Sequence, residues 1–460
     1  MITMPRRSLE EFSFSEAPKI ISGPPGKESK KMLQRQEELE GAAVSYPRGT
    51  PVAFKQGKGA TIKDVDGNIF IDFFGGAGVL QVGHCNPWVV RAVQEQLENL
   101  THTLDFPSPA RADLVEEIMK IAPRKMKGKS KLLFGGPTGS DAVESSIKLA
   151  KYNTGRSGII AFMGSYHGMT SGALAITGDK HFKDKYVPLI PEVHFVPYAY
   201  CYRCAFGKDY PDCGLQCAEY LNMIFDNPNS GIVDPAAVIM EPIQGEGGSI
   251  TPPPEYLPRI KEITEENEVP LILDEIQAGM GRTGKMWSCE HYEVTPDIMT
   301  ISKGIGGGLP LSAIMYRDEL DTWKAGAHIG TFRGHVTAMA AGAAGLKFMK
   351  EYDLPEHAAE LGEHFLKRLK EEGEKERKYI GDARGSGLMI GVEFVKNKDT
   401  KEPYPEMAGK VRLESYKRGV IVEKGGHYGN VIRFLPPLVL TKKLADNGID
   451  AFLEATKALE

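Results

Sequence analysis

The sequence predicts an α/β fold, a parallel sheet wrapped by helices, with a smaller α+β lobe assembled from both ends of the chain. Three observations predict it. Beyond Gly83, continuous apolar runs alternate with helical segments of roughly ten to fifteen residues, and runs apolar at every position suit strands buried on both faces. Ahead of them, VAFKQGKGATIKDVDGNIFID, Val52 to Asp72, breaks at Gly-Lys-Gly and Asp-Gly-Asn turns into a small antiparallel meander. Behind Tyr352, the charged helical stretch HAAELGEHFLKRLKEEGEKERK leads into the strand-like GSGLMIGVEFV, GVIVEKGG and NVIRFLPPLV. These changes of grain divide the chain into an N-terminal arm and small-lobe segment at 1–78, a large domain at 79–345 and a C-terminal small α+β domain at 346–460.

Taken in order, GPPGKESKKMLQRQEELE reads as a turn followed by an exposed polar helix. The large-domain strands are KLLFGG, GIIAFMG, AAVIMEP, VPLILDE and DIMTISK. A net charge of −5 on 460 residues gives no global field for nucleic acid or an anionic membrane. With 41% hydrophobic and 25% charged residues, the composition is that of an ordinary globular protein. The most apolar stretch, Val336 to Met349, is broken by Lys347 and too short to span a bilayer. The opening MITMPRRSLEEFSFSE lacks the apolar core of a signal peptide, so a cytoplasmic location is expected.

In an open α/β sheet, ligands bind beyond the carboxyl ends of the strands. After KLLF comes GGPTGSDAVESSIKLAKY, where Gly139 and Ser140 start a helix whose N–H groups suit a phosphate. The plainer reading is a Ser/Thr cap with acidic first-turn residues. After GIIAF, Tyr166 and His167 stand between Gly164 and Gly168, either as a ring for stacking or as ordinary buried aromatics. Asp274 ends VPLIL, where a protonated pyridine nitrogen, a helix cap or a structural ion pair would each keep it partnered. Lys303 follows DIMTIS beside Gly304, Gly306, Gly307 and Gly308, as a desolvated nucleophile or a plain surface lysine. Together these are the parts that hold pyridoxal 5'-phosphate: a phosphate cradle, a ring stack, a counter-charge and an aldehyde trap.

LILDEIQAGMGRTGKMW and PDIMTISKGIGGGLPLSAIM, with GGPTGSDAVE, GSYHG, EPIQGEGG, GTFRG and GLMIGVE, closely resemble the class III (omega) aminotransferases. The resemblance runs from about Ala17 to the C-terminus. It implies the aspartate-aminotransferase fold, pyridoxal-phosphate fold type I, with a mainly parallel seven-stranded sheet in the large domain. It makes Lys303 the Schiff-base lysine, Asp274 the partner of the pyridine nitrogen and Gln277 a neighbour of the phenolic oxygen. Gly139 and Ser140 would hold the phosphate, with Thr331 reaching it from the other subunit of a homodimer or dimer of dimers, and Tyr166 would cover the ring beside His167. Glu246 and Arg433 match a glutamate and arginine that pair in the presence of an amine and part to bind a 2-oxo acid; a permanent ion pair is the alternative. SYPRGTPVAF, HTLDFPSP, CYRCAFG, HIGTFRGHVTAMAAG and GGHYGNVIRFLPPL further resemble the L-2,4-diaminobutyrate:2-oxoglutarate aminotransferases. One departure bears on substrate: 4-aminobutyrate and ornithine enzymes carry an arginine where Met169 stands, which makes Arg333 a candidate substitute. APKIISGPPGKESKK is similar to relatives that include amino acid racemases, so a racemase or epimerase is a competing outcome, as is a 4-aminobutyrate- or ornithine-type aminotransferase.

Two motifs stand apart. Cys201, Cys204, Cys213 and Cys217 share one tyrosine-rich loop, and structural zinc, a disulfide pair or free thiols all fit their spacing. GMGRTGKM, Gly279 to Met286, imitates a P-loop but lacks the final hydroxyl and lies past the strand, which argues against an ATPase.

Overall fold

The computed structural model describes residues 7–460. Strands β1 (Phe54–Lys58), β2 (Thr61–Asp64) and β3 (Ile69–Asp72) form the antiparallel meander. The turn between β2 and β3 also serves the N-terminal arm. There the Asp66 carboxylate accepts from the backbone N–H groups of Glu28 and Ser29, each at 2.8 Å, and so caps the exposed helix Lys27–Leu39.

The large sheet holds β4 (Ser130–Gly136), β5 (Gly158–Phe162), β6 (Val193–Val196), β7 (Pro235–Met240), β8 (Leu271–Asp274), β9 (Ile298–Ile301) and β10 (Ser312–Arg317). Their order is β4-β10-β9-β8-β7-β5-β6. Only β10 runs antiparallel to its neighbours, so the expected mainly parallel seven-stranded sheet is present. Every residue of β5, β7, β8 and β9 is buried, because each continuous run feeds both faces. Ile239 and Ile272 pack with Val143 and Ile147 of the helix Gly139–Thr154. Met240, Leu271 and Leu273 belong to the larger core on the other face, with Met339 of the helix Val336–Glu351.

The last third adds β11 (Ile380–Ser386), β12 (Met389–Phe394), β13 (Val420–Ile421), β14 (Glu423–Gly425) and β15 (Val431–Phe434). β13 pairs in parallel with β3, so both ends of the chain share one sheet. The others form an antiparallel sheet, β11-β12-β15-β14. The sequence reading missed β11, an edge strand whose Asp382 and Arg384 hide its strand character. The charged helix is Leu354–Arg368, followed by a wider turn at Leu369–Glu374. Among the described residues no helix is long and apolar enough to cross a membrane.

One consequence positions the chemistry. β4, β5, β7, β8 and β9 point the same way, so Gly139 with Ser140, Tyr166 with His167, Glu241, Asp274 and Lys303 gather at one edge of the sheet.

Candidate active site

Asp274 is buried at the end of β8, where both carboxylate oxygens are partnered. Oδ1 accepts from Thr300 Oγ1 at 2.9 Å and from the Ile276 N–H at 3.1 Å, and Oδ2 lies 2.7 Å from His167 Nδ1. Without such partners, burying the carboxylate would cost several kcal/mol, roughly. The strand-end acid and the aromatic loop are therefore one unit.

The loop is fixed at further points. The Tyr166 N–H donates to Glu241 Oε1 at 3.0 Å, and the His167 N–H to Thr177 Oγ1 at 3.1 Å. Gly168 has φ +131°, and a Cβ there would stand 2.1 Å from Ser140 Oγ. Only glycine lets the loop close so tightly on the start of the helix Gly139–Thr154, where Ser140 Oγ accepts from the Met169 N–H at 3.3 Å. That helix is capped as its plainer reading held: Asp141 accepts from the Thr138 N–H at 2.8 Å and from its hydroxyl at 2.7 Å. The cap leaves Gly139 and Ser140 as first-turn residues, whose N–H groups have no intrahelical acceptor.

Lys303 begins a short helical turn, Lys303–Gly306, with φ +51°, a backbone region in which non-glycine residues are uncommon. Burial holds its amine below the usual lysine range, and Arg433 adds to the effect while Glu246, Asp274 and Glu241 oppose it. Such an amine gives up its proton more readily than a surface lysine. Glu246 is forked onto Arg433: Nη1 meets Oε1 at 2.8 Å and Nη2 meets Oε2 at 2.7 Å. Burial works against the Glu246 charge, yet Arg433, then Lys303, hold its carboxyl below the ordinary value. Gln277 Nε2 donates to Glu246 Oε1 at 3.3 Å and to the Ala77 carbonyl at 3.2 Å.

The family model for class III aminotransferases matches residues 44–456, a span that takes in every residue of this constellation. The chain belongs to the class III aminotransferases. A diaminobutyrate–2-oxoglutarate aminotransferase of Rhizobium meliloti is 41% identical over 93% of this chain and 92% of its own. An alanine/serine racemase of Pyrococcus horikoshii is 38% identical over 97% and 94% of the two chains. Among solved structures, an amine transaminase from an uncultivated Pseudomonas species, in a pyridoxal-phosphate-bound form, superposes with a TM-score of 0.83 at 29% identity, covering 92% of this chain and 98% of that one. The class III aminotransferases are pyridoxal-phosphate enzymes of fold type I, and the residues here fit that cofactor. The fit rests on two orphaned atoms: His167 Nε2 and Gln277 Oε1 are buried with no hydrogen-bond partner.

Two sequence-derived candidates of this aminotransferase lie outside the constellation. Thr331 is exposed, and its carbonyl accepts from His102 Nε2 at 2.8 Å. Arg333 is buried, with its guanidinium donating to Asp105 and to the His328 carbonyl. The four loop cysteines line one small cavity as free thiols. Burial, then Cys213 and Cys204, pushes Cys201 up to about 11. Among the described residues no group of three or more His, Cys, Asp or Glu is placed to hold a metal ion.

Sequence reasoning passed over Glu241 and Tyr46. Glu241 follows the apolar run AAVIM as directly as Asp274 ends LIL, so the strand-end rule carried the signal for it. Tyr46 carried no such signal. Its ring lies against Phe74, and burial, then Glu246, raises its phenol above the ordinary value.

Proposed function

We propose that this aminotransferase moves the terminal amino group of a diamino or omega-amino acid, L-2,4-diaminobutyrate above all, to 2-oxoglutarate. The observation that carries the reading is the Glu246–Arg433 fork beside Lys303. Closed, the pair keeps Arg433 from a carboxylate; opened, Arg433 offers a two-pronged site for a 2-oxo acid. Names of relatives support the donor: diaminobutyrate enzymes of Rhizobium meliloti, Haemophilus influenzae and Wolinella succinogenes are 41%, 40% and 36% identical.

In this reading Gly139 and Ser140 would hold the phosphate, Tyr166 would cover the ring beside His167, and Asp274 and Gln277 would serve the ring nitrogen and the phenolic oxygen. Pyridoxal phosphate, when bound, supplies the aldehyde that takes up the amino group and the ring that accepts electrons from the substrate carbon. Lys303 Nζ, held below the usual lysine range by burial, would hold the cofactor's aldehyde and, when free, would carry a proton away from the substrate carbon. Glu246 and Arg433 neutralise each other during the amine half-reaction, then separate when the acid arrives.

A homodimer, or a dimer of dimers, completes the site by bringing Thr331 to the phosphate of a second copy. Support comes from Leu104, Phe106, Ile329 and Phe332, large apolar side chains exposed in the segments around Thr331. A cytoplasmic location suits substrates drawn from the amino acid and 2-oxo acid pools.

The racemase reading is favoured by one specific observation, the 38% identity to the alanine/serine racemase. The visible absorption of the cofactor-loaded protein decides. L-2,4-diaminobutyrate alone bleaches the band, and 2-oxoglutarate restores it, if the enzyme transaminates. A band that persists while the substrate α-carbon exchanges its proton would mark a racemase.

A further inference from the structure

Glu241 is buried just past β7, and its two carboxylate oxygens serve two different walls of the site. Oε1 accepts from the Tyr166 N–H at 3.0 Å, in the aromatic loop. Oε2 accepts from the Gly245 N–H at 2.8 Å, in the turn that carries Glu246. Its main chain is anchored as well, since Tyr198 Oη donates to the Glu241 carbonyl at 3.1 Å and to that of Pro242 at 2.9 Å. The turn has little freedom: a Cβ on Gly245 would stand 1.8 Å from Gln277 Oε1. A single carboxylate thus ties the ring-covering loop to the switch turn at the floor of the sheet edge.

We infer that Glu241 is a positioning residue that fixes the spacing between Tyr166 and Glu246, and thereby the space in which the amino donor and the oxo acid exchange places. The inference rests on the transaminase reading for its kinetic consequences and on geometry alone for its structural ones. A carboxylate can accept along both oxygens, whereas a protonated carboxyl turns one of them into a donor and gives up one tether. Burial pushes Glu241 up to about 7, against His167 and the two backbone donors, with Asp274 adding to the rise. Lys303 and Tyr198 are further ionisable groups that feel its charge. The tether therefore loosens as pH falls through the neutral range.

The test pairs amide hydrogen exchange on the cofactor-free protein with single-turnover kinetics on the loaded one. In the parent, exchange of the Tyr166 or Gly245 amide, corrected for intrinsic rate, is expected to quicken as pH drops from 8 to 6. Glu241→Gln keeps one acceptor, so one of the two amides exchanges about tenfold faster at pH 8 and the pH step vanishes. The same variant slows both half-reactions about tenfold, chiefly in the limiting rate rather than in half-saturation, and its rate–pH profile loses the inflection near 7. Unchanged protection at both amides, or parental rates with a parental pH profile, would overturn the inference. Should Glu241→Gln fold poorly, the pH series on the parent decides alone. A parent that shows no amine-dependent spectral change defeats the transaminase reading instead, and the exchange data still judge Glu241.

Discussion

Arg433 grips Glu246 through two parallel hydrogen bonds, at 2.8 and 2.7 Å, across a sequence separation of 187 residues. Arg433 stands on β15, in the C-terminal sheet, and Glu246 in a turn of the large domain, so the contact ties two parts of the chain over Lys303. Breaking it is costly in proportion to burial, and Arg433 is only 2% exposed. In the proposed switch, an incoming dicarboxylate would compensate by offering the guanidinium the same fork. Arg433→Lys, which cannot make two parallel bonds, is expected to slow the 2-oxoglutarate half-reaction at least tenfold, roughly, and the amine half-reaction only a few fold. Stopped-flow absorbance with each substrate separately checks this, and equal losses would refute the switch.

Lys303→Ala removes the amine proposed as nucleophile, and no other lysine enters the contacts described for the site. Turnover should fall by about three orders of magnitude or more, since nucleophile and proton carrier are lost together. Circular dichroism and the unfolding midpoint should stay near the parental values, because removing a buried amine, which burial already disfavours as a charge, takes no cation from the fold. A variant that retained steady-state activity would remove Lys303 from the mechanism.

The legibility of the fold followed burial. Four large-domain strands, β5, β7, β8 and β9, could be read because both faces are covered and their sequences are mostly apolar, as in Gly158–Phe162, and the edge strand β4 by its central Leu-Leu-Phe run. β6 escaped because the edge strand VHFV is only partly buried and carries His194. β11 escaped because its charges find partners only in three dimensions, with Arg384 reaching Glu393 at 2.7 Å. In the site, Asp274 and Lys303 announced themselves by standing at strand ends. The Asp274–His167 bond spans 107 positions, and Thr300 enters only because β9 lies beside β8; no local pattern encodes either.

His427 provides a pH-sensitive element of stability. Its ring packs on Gly164, where a Cβ would stand 1.6 Å from Nε2, and burial, then Arg384, depresses it to about 4. The folded chain therefore keeps His427 neutral where the unfolded chain protonates it. The stability this contributes is fully present above about 6.5, the ordinary histidine value, and is lost as pH falls toward 4, by up to about 3 kcal/mol. Urea denaturation at pH 7.5 and 5 should show a larger drop for the parent than for His427→Gln. Equal drops would mean that the ring titrates freely.

Arg333 was a candidate to replace the carboxylate-binding arginine that Met169 displaces, and its contacts give a sharper expectation. Its guanidinium is engaged by Asp105 and by the His328 carbonyl, while its own carbonyl accepts from Arg111 Nη1 at 3.0 Å. Removing it leaves a carbonyl without its donor and a carboxylate without its strongest partner. Arg333→Ala should therefore cost about 1–3 kcal/mol of stability, the usual penalty for orphaning such groups. Half-saturation for L-2,4-diaminobutyrate should change by less than about threefold, because a binding arginine would have to release both partners before reaching a substrate. A large rise in half-saturation with an unchanged denaturation midpoint would reverse the assignment and make Arg333 a substrate ligand, reached from a second copy of the chain as Thr331 is proposed to be.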